Sequence, residues 1–112
     1  MRSYRPMRKA GPKAFLPPTK KLPPGRCTWC GVWMVDLDRD HVLPRDLFPG
    51  AHRDDPPNLV PSCRSCNRKR ANGKRMSFLK LPKRSRAFAL AWWRPARLAR
   101  HFVDVPVEDA VS

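Results

Sequence analysis

Apolar positions in this chain fall into short runs set between proline-rich and charged stretches. Val32-Trp33-Met34-Val35 is a strand-length run, Asp36 to Asp40 is polar, and His41-Val42-Leu43 resumes the apolar pattern. Two short strands around a polar turn predict a hairpin. Residues 44–57 contain Pro44, Pro49, Gly50, Pro56 and Pro57, which sustain neither a long helix nor a central strand and therefore predict a surface loop. Asn58-Leu59-Val60-Pro61-Ser62 returns the chain toward a helix of one or two turns over Asn67 to Asn72, stopped by Gly73. A longer helix is predicted over Ser85 to Trp93, N-capped by Ser85, with Phe88/Trp92 and Ala89/Trp93 at i, i+4 and Pro95 as its breaker. Aromatic residues at that spacing are expected to pack on the rest of the domain.

The predicted elements are too few and too short to bury a large core in a chain of 112 residues. Four cysteines supply a staple. They form two Cys-x-x-Cys pairs, Cys27/Cys30 followed by Gly31, and Cys63/Cys66 followed by Asn67. Disulfides would serve in a secreted framework, but paired spacing of this kind suits thiolate knuckles around zinc, whose tetrahedral preference matches four soft sulfur ligands. Four thiolates leave no open coordination position, so this zinc is expected to be structural. Trp29 and Trp33 are expected to pack around it. The N-terminus shows no secretory apolar region and the chain no membrane-length apolar run, which places the protein by expectation in reducing cytoplasm.

Charge names the class of partner. The chain carries 24 Lys and Arg against 9 Asp and Glu, a net +15. Residues 1–26 hold eight basic and no acidic side chains, residues 64–100 hold thirteen and none, and six of the nine acids lie between the cysteine pairs. So uneven a field attracts polyanions, and nucleic acid is the expected partner. The organisation follows: a basic, proline-rich flexible arm over 1–26 that contacts phosphate, a metal-stapled module over 27–80, a C-terminal helical extension over 81–103 and a frayed tail over 104–112.

Between the knuckles lie residues suited to hydrolysis. Asp40 and Asn67 offer hard oxygen donors of the kind magnesium or manganese takes. His41 can accept a proton near neutral pH. Neighbours on a strand face opposite ways, so Asp40 and His41 meet one phosphate only across a bulge or through a metal approached from the side. Asn58 either hydrogen-bonds the backbone or ring of His41 or caps the turn before Leu59. Arg45, Arg64, Arg68, Lys69 and Arg70 are candidate clamps for backbone phosphates or ordinary solvated charges. His52, in the proline-rich loop, and His101 are expected to be solvated.

The set Cys27-x-x-Cys30-Gly31, Asp40-His41-Val42-x-Pro44, Asn58-Leu59-Val60 and Cys63-Arg64-Ser65-Cys66-Asn67-Arg68-Lys69 resembles the HNH endonucleases, of ββα-metal or His-Me finger fold, in the subgroup with two Cys-x-x-Cys zinc knuckles. The resemblance implies a small zinc-stabilised α+β module. It also implies His41 as general base, Asn58 as the residue that orients it, Asp40 and Asn67 as ligands of one magnesium or manganese ion, and the cysteines as zinc ligands. A final Asn67, where many members have His, implies the harder metals. The implied activity is hydrolysis of DNA to 5′-phosphate and 3′-hydroxyl ends. Small stand-alone proteins of this type are similar to phage nucleases, some of which work with DNA-packaging proteins, and to homing and restriction enzymes. Oligomeric state is open. The rival is a non-catalytic zinc ribbon that binds nucleic acid, which needs the cysteines and the charge but has no use for His41, Asn58 and Asn67.

Overall fold

A computed structural model describes residues 22–48 and 50–106. The expectations for most of the basic arm and for the end of the tail lie outside these residues. Among the described residues, three two-stranded ribbons, three α-helices and three single-turn 3-10 helices make up the regular structure. Strand β1 (Gly25–Arg26) pairs antiparallel with β2 (Trp33–Met34), and β3 (Asp38–His41) pairs antiparallel with β4 (Leu59–Ser62). Helix α1 (Arg64–Ala71) follows directly. Strand β5 (Met76–Ser77), helix α2 (Lys83–Trp92), helix α3 (Pro95–Leu98) and strand β6 (Phe102–Val103) complete the chain, with β5 and β6 parallel. This is a small α+β fold, the class the sequence predicts, with a β–β–α core over residues 38–71.

The predicted hairpin across Asp36 to Asp40 does not form. The Val32–Val35 run turns back on the first knuckle instead: Gly31 at φ +78° closes a turn in which the Gly31 N–H reaches the Cys27 carbonyl and the Cys27 N–H the Val32 carbonyl. Strand β2 therefore lies on Gly25–Arg26, inside the segment predicted to be a flexible arm. Alternation on this ribbon turns Met34 toward the core and leaves Trp33 60% exposed, so Trp33 does not pack around the metal site as expected. The partner of Asp38–His41 comes from beyond the proline-rich loop, in β4.

Helix α1 starts three residues earlier than predicted because the Cys63 Sγ accepts the Cys66 N–H and caps it. Helix α2 also starts early, after Pro82, so Ser85 is not its cap but a buried residue of its first turn. It ends at Trp92 because Pro95 holds Arg94 extended and opens α3 at its first position. Phe88, Ala89 and Trp93 are buried, whereas Trp92 lies at the margin between Phe48 and His52. One core runs from Trp29 of the first knuckle through Val42, Leu43 and Val60 to Phe78, Phe88, Leu98 and Phe102. The segment predicted as a helical extension thus shares the module's core and closes it with a strand, β6.

Candidate active site and metal centre

Cys27, Cys30, Cys63 and Cys66 bring their sulfur atoms within 4.8 Å of one another, and none is in a disulfide. Cys30 Sγ and Cys63 Sγ are 3.9 Å apart. Sulfurs about 2.3 Å from the centre of a tetrahedron are separated by about 3.8 Å, so this spacing fits a four-thiolate ion. The knuckles also point N–H groups at sulfur, from Trp29 to Cys27 at 3.3 Å and from Cys66 to Cys63 at 3.4 Å. Burial raises the Cys27 thiol, but the backbone donors outweigh it and bring the thiol down to about 6. Burial, the neighbouring thiols and the Cys27 charge all push Cys66 up. A cluster whose first thiolate opposes the next needs a cation to ionise fully, and these four side chains are positioned to bind a metal ion.

The β3–β4 register is unbroken from Asp38↔Ser62 to His41↔Leu59, with no bulge. Asp40 and His41 consequently face opposite ways. Asp40 turns inward, 5% exposed, where Oδ2 accepts the Trp29 indole N–H at 2.8 Å and Oδ1 accepts from Arg70 at 2.6 Å. Burial raises the Asp40 carboxyl above the ordinary aspartate value, and Arg70 and Trp29 oppose that shift. Asn67, one turn before Arg70 on the same face of α1, donates its amide to Asp38 at 3.3 Å. The oxygens of Asp38, Asp40 and Asn67 on this β3–α1 face are a hard donor set, and two of the roughly four acceptor positions on the Asp40 carboxylate are in use. The donor chemistry fits magnesium or manganese, with Arg70 already neutralising part of the charge such an ion would meet.

Arg70 is not placed to clamp a phosphate. Its side chain is 9% exposed, donates to the His41 and Val42 carbonyls as well as to Asp40, and lies 4.9 Å from the Trp29 ring and 5.1 Å from Phe102. Arg45, Arg64, Arg68 and Lys69 are exposed. His52 bonds Asp55 at 3.0 Å and packs against Trp92. His101 is half-buried against Trp93, and burial together with Arg70, Arg97 and Arg100 lowers its pKa.

Asn58 is fully buried and does not bond the His41 ring. Its Oδ1 accepts the Leu43 N–H at 2.7 Å, and its Nδ2 donates to the carbonyls of Arg53 at 2.7 Å and Leu43 at 3.3 Å. It pins both ends of the proline-rich loop to the chain just after His41. Asn58→Ala leaves the buried Leu43 N–H without that acceptor and is expected to cost about 1–3 kcal/mol, read as a lower urea midpoint at unchanged slope.

The ring of His41 meets a residue the motif did not single out. Its Nε2 lies 2.8 Å from Asp54 Oδ1, with the His41 side chain 20% and the Asp54 side chain 58% exposed. Nothing in the spacing marks Asp54 over Asp55, since only the fold of the loop brings one of them to the end of β3.

Among the described residues no helix is long and apolar enough to cross a membrane. Searches among curated proteins and solved structures return no match. The HNH endonuclease family model matches residues 25–73, a span that begins at β1, ends at the turn after α1, and contains both knuckles, β3, the loop and α1. An HNH domain implies a nuclease acting on nucleic acid, and it is the HNH endonuclease family model that residues 25–73 of this chain match.

Proposed function

We propose that the protein is a metal-dependent endonuclease that hydrolyses phosphodiester bonds in DNA. The observation that carries this is the placement of His41 within the family match: at the open end of β3, partly exposed and held by a carboxylate. In the proposed reaction His41 takes a proton from water as the water oxygen attacks phosphorus, and the bond to the 3′ oxygen breaks. The 3′ oxygen leaves to be protonated, giving 5′-phosphate and 3′-hydroxyl ends. Asp40 and Asn67 are the proposed ligands of one magnesium or manganese ion approached from the side of β3, since the unbroken register turns Asp40 and His41 to opposite faces; such an ion would neutralise charge on the phosphoryl and leaving oxygens.

The four-cysteine centre is proposed to hold zinc, on the softness of its donors and the tetrahedral S–S spacing. Arg45, Arg64, Arg68 and Lys69, with the basic residues of the N-terminal arm, are the proposed phosphate contacts, so binding should weaken with salt and discriminate little between sequences. A role beside phage DNA-packaging proteins, in the cytoplasm of an infected cell, is consistent with a small basic HNH nuclease.

His41→Ala removes the proton acceptor without touching core or cysteines. Its cleavage rate on a labelled duplex is expected to fall by about 100-fold or more, with metal content and DNA affinity retained. Cleavage equal to that of the parent would remove His41 from the reaction.

A further inference from the structure

The contact between His41 and Asp54 fixes more than the position of the ring. A carboxylate accepts and does not donate when ionised, so the imidazole nitrogen at 2.8 Å from Asp54 Oδ1 is the one that carries hydrogen. On this basis we propose that Asp54 is a positioning residue for the reaction: it holds the neutral His41 ring with its proton on Nε2 and so assigns Nδ1 as the atom that takes the proton from water. This deepens the proposed nuclease function and rests on it for its catalytic consequence, though not for the tautomer itself.

Among the described residues, the other candidate groups have partners elsewhere. Asn58, the motif residue expected to orient His41, spends its amide on Leu43 and Arg53. Asp40 is turned to the opposite side of β3, where it accepts from Trp29 and Arg70. Asp55 faces His52. The division of labour is then clear: Asn58 fastens the loop, the fastened loop delivers Asp54, and Asp54 sets the ring. A side chain held through a second hydrogen bond loses rotational freedom before substrate arrives, which is how an orienting carboxylate raises turnover without contacting substrate. When Nδ1 takes the proton, the imidazolium finds Oδ1 already at hydrogen-bond distance, so the charge formed in the step is matched without movement of the chain.

Two readouts separate this role from a structural one. In the parent, nitrogen-15 NMR of the neutral His41 ring should show one tautomer, protonated at Nε2, and Asp54→Ala should shift both ring nitrogens toward the averaged values of a free imidazole. A parent ring that already averages, or that carries its proton on Nδ1, overturns the proposal whether or not the protein cleaves DNA. In single-turnover cleavage Asp54→Ala should lower the rate constant by about 10- to 100-fold while DNA affinity stays within about twofold, and Asp54→Glu should restore most of the loss. Because the Asp54 side chain is more than half exposed, the melting temperature should not move. Failure of the parent to cleave would count against the nuclease function, whereas cleavage by Asp54→Ala at the parent rate would overturn only the role of Asp54.

Discussion

Replacing Cys63 with Ser is expected to unfold the protein. Cys63 holds three things at once: one of four metal-directed sulfurs, the cap of α1, and the junction between that helix and β4. Structural zinc contributes roughly 10–16 kcal/mol in modules of this size. A domain's whole net stability is only about 5–15 kcal/mol. Loss of one thiolate ligand therefore removes more than the remaining contacts supply, since the ribbons are only two to four residues long and cannot stand alone. The measurement is denaturant unfolding followed by circular dichroism, with metal content determined on the same sample. Cys63→Ser should show no cooperative transition and no bound metal, and chelation of the parent should produce the same state. A mutant that unfolds cooperatively while free of metal would show that the cysteine cluster is not what holds the fold.

Arg70→Ala has the second large effect, through a charge it leaves behind. Asp40 sits with its side chain 6% exposed, and the guanidinium of Arg70 at 2.6 Å is its charged partner. Arg70 also satisfies the carbonyls of His41 and Val42 and lies over the Trp29 and Phe102 rings. Removing one member of a buried ion pair costs about 3–5 kcal/mol, most of it the penalty of the charge left unpaired. The double mutant Arg70→Met/Asp40→Asn should recover a large part of that loss, because the remaining amide is neutral and the methionine still packs over the rings. Arg70→Lys should recover little, since one ammonium cannot reproduce the planar fork that meets three acceptors. A loss below about 1 kcal/mol in Arg70→Ala would mean that water reaches Asp40 and that the pair is not buried in solution.

How much of this was legible in the sequence differs by feature. The four-cysteine cluster was, because Cys-x-x-Cys is a local geometry and two copies need only be brought together. So was the helix over Phe88 and Ala89, which rests on short-range pattern, while the β–β–α order came from the family resemblance. Strand pairing was not. The partner of Asp38–His41 lies across a proline-rich loop that carries no periodic signal, while a nearer apolar run, Val32–Val35, offered a false partner that Gly31 instead folds onto β1. The same limit governs the site. The motif names Asp40, His41, Asn58 and Asn67, but strand alternation separates Asp40 from His41, and the loop presents Asn58 to Leu43 instead of to the histidine. Asp54 and the internal role of Arg70 depend on contacts 13 and 30 residues apart in sequence, which no local pattern marks.

The most direct test is cleavage of supercoiled plasmid by purified protein loaded with zinc, in magnesium or manganese, beside samples containing EDTA and the His41→Ala variant. Metal-dependent conversion to nicked or linear DNA, lost in both controls, is the predicted result. Undamaged plasmid in the presence of salt-sensitive binding would contradict it and make the chain a nucleic-acid-binding zinc module that uses an HNH scaffold without its chemistry.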